Sequence, residues 1–183
     1  MSWEKELEEL KKRAELAKEM GGIERIAKHY ARGRLTVRER IDQLLDDDSF
    51  HETGEITGKV SYDENGEIKE FVPANFVFGR GKLDGREVVV AGDDFTVRGG
   101  AADARIGNKS LYSLKLAEHL RLPLVNLVDG SGGGGSVKTL ETMGATYVPG
   151  LPSWQNIVRL LSMVPVVGAC MGSVAGLGSA RVV

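Results

Sequence analysis

The chain has 183 residues, of which 42% are hydrophobic and 27% charged, enough apolar material for one domain with a buried core. Its 24 Lys and Arg against 26 Asp and Glu leave a net charge of -2, so no one-signed field exists to attract nucleic acid or an anionic membrane. The single cysteine, Cys170, excludes an internal disulfide and a cysteine-rich metal site, and together with a charged N-terminus and no apolar run of spanning length it points to a soluble protein of the cytoplasm.

Trp3, Leu7, Leu10, Ala14 and Ala17 recur at helical spacing and predict an amphipathic helix over residues 3–20, ending at Gly21-Gly22 and packing on a body or a partner subunit. Thr36 and Glu39 stand at capping-box spacing, and Val37, Ile41, Leu44 and Leu45 continue as an apolar stripe, so a second helix begins at Thr36. The run Asp46-Asp47-Asp48 reads as its solvated end. From Phe50 to Ala91 the signals are short β-segments, with Asn65-Gly66 and Asp84-Gly85 as hairpin turns and Val88-Val89-Val90 as a buried strand. These signals divide the chain into an N-terminal helical segment, 1–50, and an α/β domain, 51–183.

Beyond Ala91 the pattern becomes strand, glycine-bearing loop, helix, three times over. The first unit runs from Val88–Ala91 through Gly92–Gly100 to a helix reaching Leu120. The second has a strand at Leu124–Val128, a long loop from Asp129 and a helix near Ser153–Met163. The third has a strand at Val164–Met171, the loop Gly172–Ala175 and the start of a helix. Such alternation predicts a mostly parallel sheet with its active edge where strands end and helices begin. In the second of these helices Trp154, Ile157, Val158 and Leu161 form one stripe expected to face the core. Because the chain stops just inside the third helix, it is expected to be a fragment, a split subunit or a truncated form.

Glycine, at 24 residues, exceeds the usual share of about 7%, and it concentrates in the three loops 94–100, 129–136 and 172–176. Glycine lets a ligand approach main chain closely, and free N–H groups at a helix start form an anion site able to stabilise a negative oxygen developing on a thioester carbonyl. On spacing alone, this use and plain tight turning stand level. A phosphate-binding loop would need Lys straight after the last glycine, but Ser136 and Val137 separate Gly135 from Lys138. A flexible linker between domains does not fit a segment set between a buried strand and a continuing fold. His29, His51 and His119 are scattered and read as surface residues, with no metal or acid-base spacing among them; Asp93, Asp94 and Asp129 read as loop-orienting acceptors for backbone N–H groups.

Gly21-Gly22, Arg25-Ile26, Lys28-His29, Gly33-Arg34-Leu35-Thr36-Val37-Arg38-Glu39-Arg40-Ile41, Leu44-Leu45-Asp46 and Ser49-Phe50 together resemble the opening of carboxyltransferase β-subunits of biotin-dependent propionyl-CoA and related acyl-CoA carboxylases. Phe78-Gly79-Arg80-Gly81, Gly85-Arg86, Asp94-Phe95-Thr96-Val97-Arg98-Gly99-Gly100 and the Gly172–Gly176 loop extend the resemblance over almost the whole chain. It implies a crotonase-like ββα-superhelix, incomplete here and preceded by N-terminal helices and a β-hairpin region, that serves as the first, acyl-CoA-binding domain of two. The implied reaction moves a carboxyl group from carboxybiotin to the α-carbon of a short acyl-CoA: the biotin ureido nitrogen takes the α-proton and the enolate attacks carbon dioxide. Biotin would arrive on a separate carrier protein.

The resemblance assigns the oxyanion role to the backbone of Gly133 and Gly134, within a loop where relatives carry Ser-Gly-Gly-Ala-Arg and this chain has Ser131-Gly132-Gly133-Gly134-Gly135. The guanidinium of that motif is therefore missing. Substrate contacts fall to Arg98, Gly99, Gly100, Gly132, Gly135, Ala175 and Gly176, with no metal. Arg105, Lys109 and Lys138 stand between CoA-phosphate contacts and ordinary solvated charges. Implied partners are acyl-CoA, a biotin carboxylase, the biotinylated carrier and further copies of the chain, and the isolated chain is expected to be inactive. A biotin-dependent decarboxylase subunit and a non-catalytic acyl-CoA-binding or assembly subunit are the alternatives.

Overall fold

The computed structural model describes residues 3–101, 106–130, 137–146 and 153–182. Helices α1 (Glu4–Lys18), α2 (Ile23–Tyr30) and α3 (Val37–Leu44) lead into strands β1 (His51–Glu52), β2 (Gly58–Tyr62), β3 (Ile68–Pro73), β4 (Phe76–Leu83) and β5 (Arg86–Asp93). Then come a 3-10 turn at Arg98–Gly100, α4 (Lys109–Leu120), β6 (Leu124–Val128), α5 (Val137–Met143), α6 (Trp154–Leu161), β7 (Val166–Cys170) and a 3-10 helix at Gly176–Arg181. The five-stranded sheet has the order β1-β4-β5-β6-β7, antiparallel through β5 and parallel from β5 to β7, while β2 and β3 form a separate hairpin.

Alternation along the strands sorts the core onto two faces. Phe76 and Phe78 of β4, Val89 and Ala91 of β5 and Leu124 of β6 point to one face, where Leu114 and Ala117 of α4 and Leu160 of α6 cover them. Val77, Val88, Val90 and Leu127 point to the other, where Val37, Ile41 and Leu45 close over them. The N-terminal segment thus supplies half of the sheet's cover. Helix α3 can be placed there because both halves of the expected capping box form: the Thr36 hydroxyl accepts from the Glu39 N–H, and the Glu39 carboxylate accepts from the Thr36 N–H at 2.7 Å. The β4–β5 hairpin turns on Asp84 (φ 49) and Gly85 (φ 76), the left-handed pair that a tight two-residue turn requires. Asp46 clamps it from below, its carboxylate accepting both N–H groups of that turn at 3.0 and 2.8 Å. This acid is a structural acceptor, whereas Asp47 and Asp48 are the solvated ones.

Several expectations need correction. Of the α1 stripe, Ala17 is buried and Ala14 half-buried against the body, while Trp3, Leu7 and Leu10 are exposed. Helix α2 forms where no element was expected, and α5 lies in the stretch expected to be a long loop from Asp129. In α6 the stripe is misassigned: Trp154, Val158 and Leu161 are exposed, and the helix docks through Leu160, with Ile157 partly buried beside it. The segment after the third loop is a 3-10 helix rather than the start of an α-helix.

Candidate active site

Register in the parallel half of the sheet brings the three loops to one edge. Gly92 of β5 lies beside Leu127 of β6, and Leu127 lies beside Ala169 of β7, so the loops following Asp93, Val128 and Cys170 leave the sheet side by side.

A buried ionic network joins their starting points. Asp129 is fully buried; its N–H donates to the Asp93 carboxylate at 3.1 Å, and its Oδ2 accepts from Arg40 Nη1 at 2.8 Å. Arg40 also reaches the Met171 carbonyl at 3.5 Å, and Arg181, returning from the last 3-10 helix, pairs with Asp93. One arginine on α3 and one at the far end of the third loop therefore hold the exits of β5, β6 and β7 together. Asp129 is an ion-pair partner here, not the backbone acceptor expected from its loop position. Asp94 does play that part: its Oδ1 accepts from the Thr96 N–H at 2.9 Å and from the Thr96 hydroxyl. Burial pushes the Asp94 carboxyl above its ordinary value, and these bonds from Thr96 oppose the shift.

The backbones of the loops touch. Arg98, Gly99 and Gly100 are all left-handed, and a Cβ on Gly100 would stand 2.4 Å from the Asp129 carbonyl. The Gly100 N–H donates to the Val97 carbonyl at 3.2 Å. At Gly172 a Cβ would meet Asp129 Oδ1 at 2.2 Å, so only glycine lets the third loop pass over that carboxylate. Gly99 and Gly176 differ from these: both are left-handed, with no atom of the described residues within 4 Å of where a side chain would begin. Arg98 is exposed, and Ala175 is an extended residue leading into the 3-10 helix.

His29, expected at the surface, is buried and stacks on Phe95 with ring centroids 5.8 Å apart. Burial, reinforced by nearby Arg40, holds its imidazole below the ordinary histidine value. Lys109 is neither a solvated charge nor an exposed phosphate contact. It is buried against the Phe78 ring and bonded to Glu52 at 3.2 Å, and Glu52 also accepts from Arg38 at 2.7 Å. Gly132, Gly133, Gly134, Gly135 and Arg105 lie outside the described residues, and of Lys138 only the backbone is described. Among the described residues, no group of three or more His, Cys, Asp or Glu side chains is placed to hold a metal ion, and no helix is long and apolar enough to cross a membrane.

Residues 28–179 match the carboxyl transferase domain family. The propionyl-CoA carboxylase carboxyltransferase subunit of Haloferax mediterranei is 30% identical over 96% of this chain and 33% of its own length. Methylmalonyl-CoA decarboxylase subunit alpha of Veillonella parvula is 31% identical over 85% of this chain and 30% of its own. Among solved structures, the transcarboxylase 12S hexamer with methylmalonyl-coenzyme A bound superposes with a TM-score of 0.68 at 28% identity, over 92% of this chain and 32% of that one. The chain spans about a third of the length of the relatives it matches.

Proposed function

The chain belongs to the carboxyl transferase domain family, and we propose on that footing that it forms the acyl-CoA-binding part of a biotin-dependent carboxyltransferase acting at the α-carbon of a short acyl thioester. Its sheet and helices have the crotonase-like fold of those carboxyltransferases. The observation that carries the proposal is the strand register, which brings the starting points of three glycine-bearing loops to one sheet edge.

The chain's own share of the work is positional and electrostatic. Asp93, Asp129, Arg40 and Arg181 lock the ends of β5, β6 and β7, which fixes where the second loop begins. Gly133 and Gly134 are the proposed donors to the enolate oxygen. Gly99 and Gly176, open where a side chain would stand, suit the close approach of a thioester chain and of a flat ureido ring to main chain. Carboxybiotin, when presented by a carrier protein, supplies the carboxyl group. Arg98 and Ala175 flank this edge as further substrate contacts. A cytoplasmic setting, further copies of the chain and a biotin carboxylase partner complete the proposal.

Calorimetric titration with acetyl-, propionyl- and methylmalonyl-CoA tests it. Saturable binding of at least one thioester is expected, and its absence would leave a non-catalytic assembly subunit. Similarity to a methylmalonyl-CoA decarboxylase subunit supports a second reading, in which the same site runs the reaction backwards. Formation of propionyl-CoA and carboxybiotin from methylmalonyl-CoA and biotin by the assembled enzyme, without net carboxylation of propionyl-CoA, would select it.

A further inference from the structure

Three guanidinium groups converge on two buried carboxylates at the strand ends, and their pairings are unequal. Arg40 is hydrogen-bonded to Asp129, and Arg181 to Asp93. Arg34, the third, comes no closer than 3.9 Å to Asp129 Oδ1, and its guanidinium makes no hydrogen bond among the described residues. That same Oδ1 is itself a buried acceptor without a hydrogen-bond partner among the described residues. Arg34 is not a stray surface cation. Its guanidinium carbon stands 5.9 Å from the centroid of the Phe95 ring in the first loop, it faces Asp129 at the start of the second, and its Nη1 would lie 3.0 Å from a Cβ on Gly172 in the third. Its side chain nevertheless keeps 28% of its surface open to solvent.

From this we infer that Arg34 is an anion-binding residue of the site, which takes an oxyanion group of the ligand, carboxylate or phosphate, through donors that the described residues leave unused. The charge count supports this. Among the described residues, two carboxylates, Asp93 and Asp129, face the three guanidiniums of Arg34, Arg40 and Arg181, and the Arg34 side chain is the one of these that keeps the most open surface. A guanidinium with open donors binds carboxylate or phosphate through two parallel charge-assisted bonds. The cation–π contact with Phe95 restrains the guanidinium beforehand and lowers the entropic cost of anion binding. The chain thereby regains, from the segment ahead of α3, a guanidinium at the loop edge although its second loop has glycine at 135. Gly172 has to remain a glycine because any side chain there would occupy the space of both the guanidinium and the Asp129 carboxylate.

The nature of the ligand rests on the acyl-CoA reading above, whereas the anion site does not, and the experiment separates them. Wild type, Arg34→Lys and Arg34→Gln are titrated with propionyl-CoA, methylmalonyl-CoA and their pantetheine thioesters, which lack the nucleotide phosphates. The Arg34 Nε–H resonance of the wild type is followed during titration with malonate and with inorganic phosphate. If the substrate carboxylate is the partner, Arg34→Gln weakens methylmalonyl thioesters on the order of ten- to a hundredfold and leaves propionyl thioesters unchanged. If a CoA phosphate is the partner, both CoA esters weaken and neither pantetheine ester does. In either case Arg34→Lys retains part of the affinity, and the Nε–H resonance shifts on addition of the small anions. Should the wild type bind no thioester, the functional reading fails, yet a shifted Nε–H still supports the anion site. An Nε–H that moves with neither anion, or thioester affinities unchanged within twofold in Arg34→Gln, overturns the inference. If Arg34→Gln does not fold, the resonance and Arg34→Lys decide.

Discussion

Replacing Asp129 by Asn isolates the charge at the centre of the buried network while preserving side-chain size and one acceptor oxygen. Asp129 has no exposed surface and the Arg40 side chain is 5% exposed, with 2.8 Å between their bonded atoms. The substitution therefore strands the Arg40 charge in a site that water does not reach. Removing one partner of a buried ion pair costs about 3–5 kcal/mol, and the carboxamide oxygen, still able to accept from Arg40, sets the expectation at about 3. With a urea dependence of about 2 kcal/mol per molar, the unfolding midpoint falls by about 1.5 M. Urea titration followed by circular dichroism measures this, with Glu118→Gln as control. Glu118 pairs at 2.9 Å with Arg159, whose side chain is 69% exposed, so its loss costs less than about 1 kcal/mol. The double variant Arg40→Met with Asp129→Leu, which removes both charges, should recover most of the deficit. Equal losses in Asp129→Asn and Glu118→Gln would refute the claim that this pair locks the loop exits.

Gly21→Ala places a methyl group 2.1 Å from the Thr96 carbonyl and should destabilise by about 1–3 kcal/mol, readable as a lowered thermal midpoint, because the α1–α2 corner packs directly on the first loop. Burial holds the His29 imidazole below its ordinary value in the folded chain, so the unfolded chain binds the extra proton first as pH falls. Stability present above pH 6.5 is lost as pH falls through that value toward the folded one, and His29→Gln should flatten the urea midpoint measured between pH 7.5 and 5. Lys109→Met should lower the melting temperature by breaking the buried pair with Glu52 and leave the salt dependence of CoA binding unchanged, the opposite of what an exposed phosphate contact would give.

Features governed by near neighbours were legible in the sequence. Thr36 and Glu39 cap α3 because both groups sit within one turn, and Asp84-Gly85 turns the hairpin because its left-handed angles are local chemistry. The strand β6 falls where its apolar run predicts, at Leu124–Val128. What depended on distant partners was not. His29 is buried by Phe95, 66 positions away, and Arg40 by Asp129, 89 positions away; nothing in the order of residues marks such meetings. One signal was available for Arg40: its place beside Ile41 and three residues after Val37 lies on the apolar side of α3. Periodicity in α6 identified an apolar helix but not which flank meets the sheet. Leu160 takes that position and leaves Trp154 outside because the helix is fixed by its packing on α4, not by its own stripe.

The clamp that Asp46 places on the β4–β5 turn bears on how the sheet breathes. At that end a carboxylate fastens the hairpin tip, and β5 is flanked by neighbours on both sides; at the opposite side β7 pairs with β6 alone among the described residues, and Val167 lies open to solvent. Fluctuations that expose amides should therefore start from β7 and travel inward, so deuterium enters the strands in the sequence β7, β6, β5.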